Sequence, residues 1–148
     1  MTDYNVFPDY KTRKELINGL CGKYKFIKHC FAGKSVCGRG IDVLHIGNTK
    51  NRVLSEYLTV LALLKFFEEC CQAMQNDNPV GEYKIGNFLS IRGLTIVPCV
   101  NPDGTEIALH GSDAAFKYKP LVEKVCTDTY KWQANARGVD INHNFTAG

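Results

Sequence analysis

Long runs of like charge are missing from this sequence. Its 18 basic and 15 acidic residues are scattered and leave a formal net charge of +3. That removes the basic tract on which nucleic-acid binding relies, so no nucleic-acid partner is expected. Long apolar runs are missing as well. The longest, Leu58 to Phe67, is interrupted by Thr59 and Lys65 and is too short to cross a bilayer. Residues 1–10 are polar and aromatic, with no basic segment leading into an apolar one, so they do not read as a secretory signal. The expectation is a chain that stays where it is made, cytoplasmic as written, with no membrane partner. No CxxC pair occurs among the seven cysteines, and an odd count without that spacing excludes a disulfide framework or a zinc ribbon. Small buried thiols in a reducing compartment are expected. Cys70 and Cys71 are adjacent and would point in different directions on a helix. Repeats and low-complexity tracts are also absent.

Hydrophobic residues make up 45% and charged residues 22% of the chain, an ordinary globular mixture that excludes a disordered polymer. The length, 148 residues, fits one domain. A short amphipathic helix is expected over Tyr10 to Tyr24, with Leu16, Ile17, Leu20 and Cys21 at helical spacing and Thr12 as N-cap. Phe26 to Lys34 and Ile41 to Gly47 read as strands, separated by a turn over residues 36–40. Arg52-Val53-Leu54 starts a buried strand that stops after two apolar residues. Ser55 then reads as the N-cap of a helix over Tyr57 to Met74, with Leu61, Leu64 and Phe67 on one face. So short a strand joined directly to a long helix is unusual, because connections normally take a few residues.

Residues 76–86 are polar, with turn chemistry. Leu94 to Val100 reads as a β-branched strand with Pro98 near its end, and Asn101 to Gly104 as a turn after it. Residues 111–130 read as loop with some helix, and Ala136 to Phe145 as loop running into a short extended segment. Alternating strands and helices predict an α/β fold, a mixed sheet flanked by helices. In such folds, sites gather beyond the carboxyl ends of the strands.

Three segments carry a family resemblance. They are Gly33-Lys-Ser-Val-Cys-Gly-Arg-Gly-Ile41, Val97-Pro-Cys-Val-Asn-Pro-Asp-Gly104 and Lys131-Trp-Gln-Ala-Asn-Ala-Arg-Gly-Val-Asp-Ile-Asn-His-Asn-Phe145. In that order they resemble the early strand pair, the VPxxNPDG signature and the NARGVDxNRNF segment of the carboxypeptidase A-like zinc peptidases. The subgroup that cuts γ-D-glutamyl-diamino acid bonds in bacterial cell-wall stem peptides is the most similar. The resemblance implies the first half of a zinc-carboxypeptidase-like fold, truncated, occupying residues 1–148 as a partial domain. It also implies peptide substrates, with peptidoglycan stem peptides among them.

The resemblance further implies a catalytic zinc held by two histidines and a glutamate, with a fourth position left for water. The zinc lowers the pKa of that water and polarises the scissile carbonyl, while a separate glutamate serves as general base. The first two ligands of the family come as His-x-x-Glu. Here Glu56 matches the glutamate, but three residues before it stands Val53, which cannot bind a metal. A gap of roughly ten residues between Leu54 and Ser55, removing a strand end, the histidine and the loop, accounts for this. Asp140 matches the carboxylate that orients the first zinc histidine. Arg137 falls near the arginine that stabilises the tetrahedral oxyanion. Asn142 and His143 match an Asn-Arg pair that binds a terminal carboxylate. Histidine lacks the arginine fork and is mostly neutral near pH 7, which argues against ordinary C-terminal specificity. In the family's order, the second zinc histidine and the general-base glutamate come after position 148.

Plainer readings stand beside these. Glu56 alone is a helix-start carboxylate favoured by the macrodipole. Asp140 reads equally as a loop carboxylate capping a backbone amide. His29, His45 and His110 show no ligand spacing, and His45 reads as structural within a strand. Gly33-Lys34-Ser35 fails as a phosphate loop because Lys28 stands where glycine is required. Asn144-Phe145-Thr146 is a formal glycosylation sequon, here accidental. Three states of the chain remain open at this point: an incomplete zinc peptidase, a non-catalytic peptide-binding or scaffold module, and a fragment prone to self-association through an exposed sheet edge.

Overall fold

A computed structural model describes residues 7–49, 52–55 and 60–144, giving the backbone alone for 52–55. The chain divides into two compact units, one of residues 1–30 and 42–99, the other of residues 31–41 and 100–148.

In the first unit, helix α1 spans Tyr10–Lys23 and buries Arg13, Ile17 and Leu20 on one face. Its N-cap is Asp9, whose carboxylate accepts the Thr12 amide at 2.7 Å. The cap therefore sits three residues earlier than expected. Thr12 supplies an N–H, and the charged acceptor before it satisfies that donor. Strands β1 (Lys28–Lys34), β2 (Gly40–Gly47), β3 (Arg52–Ser55) and, after two further strands, β6 (Gly93–Ile96) form one sheet in the order β1-β2-β6-β3. β2 and β6 run antiparallel with Leu44 opposite Ile96. β3 and β6 run parallel with Val53 opposite Leu94. The sheet is mixed, as expected.

Ser55 belongs to β3 and is not a helix cap; pairing with Ile96 holds it extended. β6 ends at Ile96, earlier than the expected strand, which ran on to Val100. All four β6 residues are buried, the pattern of a strand covered on both faces. On one face, Leu44, Ile46, Leu94 and Ile96 join Ile17 and Leu20 of α1 in one core. On the other, His45 Nδ1 lies 2.7 Å from Thr95 Oγ1, buried beside Gly93. A Cβ at Gly93 would run into the His45 ring and the Asn48 carbonyl, so this strand position admits only glycine. His45 is structural, in line with its sequence reading.

Helix α2 (Val60–Asn76) completes this core with Val60, Leu63, Leu64, Phe67, Cys70 and Cys71. The buried stripe follows i, i+3, i+4, i+7 but is centred on Leu63; Leu61 lies at its half-exposed margin. Both adjacent cysteines are buried, because the stripe is wide enough to take neighbours at its edge. The other five thiols are half-buried or, at Cys30, exposed, so burial of the cysteines is only partial. Two buried carboxylates have partners. Glu68 accepts Lys23 Nζ at 2.9 Å, and Asp42 accepts Lys14 Nζ at 2.5 Å and faces His29 Nε2 at 2.8 Å.

Residues expected as plain turn form a small hairpin, β4 (Pro79–Val80) and β5 (Tyr83–Lys84), turning at Gly81 with φ +61°, as two-residue hairpins require. Helix α3 (Ile85–Ile91) follows directly.

In the second unit, helix α4 spans Pro102–His110, followed by a 3-10 segment Ser112–Tyr118, helix α5 (Lys119–Val125) and a 3-10 turn Thr129–Lys131. Asn101 to Gly104 is therefore the start of a helix and not a free turn. Asn101 caps Gly104 N at 3.0 Å and proline takes the first helical position, where a missing N–H costs nothing. Ile107, Ala115, Val122, Trp132 and Ala136 form this unit's core, with Val36 and Cys37 against it. Residues 136–144 contain turns and no strand, so the extended segment expected there is not found within the described part of that stretch. The preceding asparagine and aspartate side chains hold these turns.

Candidate functional site

Asp103 is fully buried. Its Oδ1 accepts Ser35 Oγ at 2.7 Å and Arg39 Nη1 at 2.8 Å, and its Oδ2 accepts Cys37 N at 2.9 Å. Arg39 Nη2 donates to the Ala114 carbonyl at 2.9 Å. The carboxylate thus fixes the turn between β1 and β2, which Gly38 closes at φ +84°. Two residues earlier, Asn101 Nδ2 donates to the Gln133 carbonyl at 3.0 Å. A Cβ at Gly104 would lie 2.7 Å from the Ala134 carbonyl, so the chain can pass this close only over a glycine. One helix start therefore joins all three sequence motifs. A buried charge so fully hydrogen-bonded is stable where it sits, and removing one partner would strand the other.

The third motif is shaped by its own side chains. Asn135 Oδ1 accepts the amides of Arg137 at 2.9 Å and Val139 at 3.2 Å, and Gly138 has φ +77°. Asp140 Oδ1 accepts the amides of Asn142 at 2.9 Å and His143 at 3.3 Å; its Oδ2 lies 2.8 Å from His143 Nδ1. The His143 ring, then the Asn142 amide, hold the Asp140 carboxyl below its ordinary pKa. Asn142 and His143 are exposed. Arg137 is exposed, and the influence of its guanidinium is the main cause that lowers the phenol pKa of Tyr118.

The structure thus brings Asp140, Asn142 and His143 together in one turn and puts Arg137 in the turn that Asn135 holds. Glu56 lies outside the described residues. Sequence reading passed over Asp103 and Asn101 as site-forming residues. The helix-start chemistry of Asn-Pro-Asp was a usable signal for both.

Zinc is the cofactor the family implies. Among the described residues, no three His, Cys, Asp or Glu side chains gather to hold a metal. Val53, within β3, offers no donor atom, and the Asp140 carboxylate is engaged by His143. The described residues do not fit a zinc site.

A mixed α/β sheet whose signature loops meet at one buried aspartate defines a class. The sequence profile described as zinc carboxypeptidase matches residues 14–148, and the chain belongs to that family. It is 28% identical over 152 residues to the protein YqgT of Bacillus subtilis (strain 168), covering 95% of this chain and 40% of that one. It is also 28% identical over 149 residues to gamma-D-glutamyl-L-diamino acid endopeptidase 1 of Lysinibacillus sphaericus, covering 94% of this chain and 38% of that one. The chain therefore spans about two fifths of the length of these curated relatives. Among solved structures, thrombin activatable fibrinolysis inhibitor matches with a TM-score of 0.60 at 17% identity, over 72% of this chain and 28% of that one. Carboxypeptidase A of Helicoverpa armigera matches with 0.59 at 21% identity, over 76% and 28%. These structures share the fold. No helix among the described residues is long and apolar enough to cross a membrane.

Proposed function

We propose that this chain is part of a zinc peptidase domain for peptide substrates, and that it does not hydrolyse peptides by itself because the segment bearing the first zinc histidine is missing. The observation that carries this reading is the junction after β3. The strand ends at Ser55, α2 is under way by Val60, and only residues 56–59 lie between them. Val53 stands where the family's first histidine is needed. Both curated matches extend over more residues than the chain contains, so each relative has residues with no counterpart here, which supports a deletion.

In this reading Glu56 is the surviving zinc ligand of its motif, and Asp140 is the carboxylate left without the histidine it would orient. Arg137 serves the oxyanion, and Asn142 with His143 forms the substrate-binding pair. The family order places the second zinc histidine and the general-base glutamate after position 148. A carboxylate 2.8 Å from His143 offsets any positive charge on that ring, which favours substrates recognised by something other than a terminal carboxylate. Peptidoglycan stem peptides are such substrates, and the gamma-D-glutamyl-L-diamino acid endopeptidase of Lysinibacillus sphaericus supports them. Among the described residues β3 pairs with β6 alone, which leaves its other edge available to a further strand or to a second copy.

The test combines elemental analysis for zinc with an assay on a γ-D-glutamyl-diaminopimelate peptide. The expected result is neither zinc nor cleavage. Stoichiometric zinc that a chelator removes, accompanied by cleavage, would overturn the proposal. A second reading, a non-catalytic peptide-binding module, is favoured by the turns over residues 135–143, where the Asn135 and Asp140 side chains already hold backbone amides. It requires saturable binding of the same peptide uncut, and a flat titration would eliminate it.

A further inference from the structure

We propose that a cavity in the second unit, between the turn 36–38 and residues 115–118, is a binding site for a small ligand carrying a carboxylate on an apolar body. The cavity measures about 370 Å³ and is lined by Val36, Cys37, Gly38, Ala115, Phe116, Lys117 and Tyr118. That is the lower end of the size range of small-molecule sites, which are apolar pockets with a few placed polar groups. Val36, Ala115 and the Phe116 ring supply the apolar wall.

The polar rim is cationic and uncompensated. Lys117 Nζ lies 5.2 Å from the centroid of the Tyr118 ring. Among the described residues Lys117 has no carboxylate partner. The neighbouring Arg39 is different: its guanidinium is spent on Asp103 and on the Ala114 carbonyl. A lysine ammonium beside a phenol leaves a place for an anion, and the phenol can donate its own proton to a carboxylate oxygen.

The backbone gives an independent sign. Phe116 has φ +52° and ψ −119°, a region that side-chain-bearing residues avoid. Its ring is 61% exposed while Arg39 sits 4.9 Å from its centroid. Strain of this kind persists where surrounding contacts dictate it, and it concentrates at ligand sites. Here it turns an aromatic ring out at the mouth of the cavity. The site uses neither a metal nor Glu56 and stands apart from the peptidase reading.

The test is a nuclear magnetic resonance titration of the isotope-labelled 148-residue chain with 3-phenylpropionate. Its neutral alcohol, 3-phenylpropanol, and inorganic phosphate serve as comparison probes. The acid should shift the amides of Gly38, Ala115 and Lys117, and both comparison probes should bind about tenfold more weakly, the effect of losing one charge-assisted hydrogen bond or the apolar contact. Lys117→Gln, at an exposed side chain, should weaken the acid by about tenfold with the spectrum otherwise unchanged. Phosphate binding as well as the acid would reduce the site to bare charge attraction and overturn the proposal. So would equal binding of the alcohol, no shifts at these amides, or an unchanged affinity in Lys117→Gln.

Discussion

The first unit buries Ile17, Leu44, Ile46, Leu63, Leu64, Phe67 and Ile96 in one core of helices and sheet. The second has a smaller core around Ile107, Val122 and Trp132, and its loops converge on polar side chains: Asp103, Asn135 and Asp140 as acceptors and Asn101 as donor to the Gln133 carbonyl. Apolar burial is non-directional and tolerates change of shape, with each large side chain contributing about 1.5–3 kcal/mol. A buried carboxylate is directional and fails as a unit when one partner goes. The regular half of the molecule should therefore lose stability gradually under mutation, and the loop-bearing half abruptly at a few positions.

The sharpest test is Asp103→Ala. It leaves the Arg39 guanidinium, whose side chain is only 10% exposed, without its carboxylate, and should cost about 3–5 kcal/mol. Hydrogen exchange should show protection lost around the Ser35–Arg39 turn and the start of α4 while β2 and β6 keep theirs. Equal loss in both places would erase the contrast between the units. Leu63→Ala makes the matching cut in the first unit and should cost about 3 kcal/mol. Its signature is a lowered denaturant midpoint, with the hydrogen bonds at Asp103 intact.

The two adjacent thiols sharpen the picture of the first unit. Burial is the main cause that pushes Cys70 up to about 11 and Cys71 up to about 12. A raised pKa means that the folded state holds the thiol proton more tightly than the unfolded state. The stabilisation is then fully present below the ordinary thiol value and is lost as pH rises towards 11 and 12. At one unit above the ordinary value, about 1 kcal/mol per thiol should be gone. Denaturant titrations across that range check it, and Cys70→Ala with Cys71→Ala should flatten the slope. At neutral pH the exposed Cys30 should react with a thiol reagent before either of them.

Much of the first unit was legible because its signals are local. The β2 alternation and the apolar stripe of α2 are visible within a few residues, and α1 missed only its cap. α3 escaped notice because it is seven residues long, begins at Lys84 without a side-chain cap and has no acidic first turn. In the second unit the resemblance picked out the motif residues but not the structural part that Asp103 plays. Asp103 meets partners 64 to 68 positions away, and no window of sequence displays such a pairing. Asn-Pro-Asp-Gly serves a turn or a helix start equally well, and contact with the Ala134 carbonyl accompanies the second outcome. The short join after β3 was visible in both, since it is a matter of spacing along the chain.

The weakest expected effect belongs to Asp140, and it separates a loop-shaping carboxylate from one held in reserve for a metal-bound histidine. Its carboxyl is held below the ordinary value chiefly by His143, so what it contributes is present above the ordinary carboxylate range and fades as pH falls through the lowered value. Asp140→Asn keeps an acceptor for the Asn142 and His143 amides and removes the charge facing the His143 ring. The unfolding midpoint should not move, and only the His143 ring resonances should respond. Asp140→Ala should in addition release the two amides to exchange. A carbon-detected titration of the Asp140 carboxyl in the unmodified chain should give a midpoint below that of an exposed aspartate. An ordinary midpoint would show that His143 does not engage the carboxylate in solution, leaving Asp140 free to serve the histidine that the family places beside it.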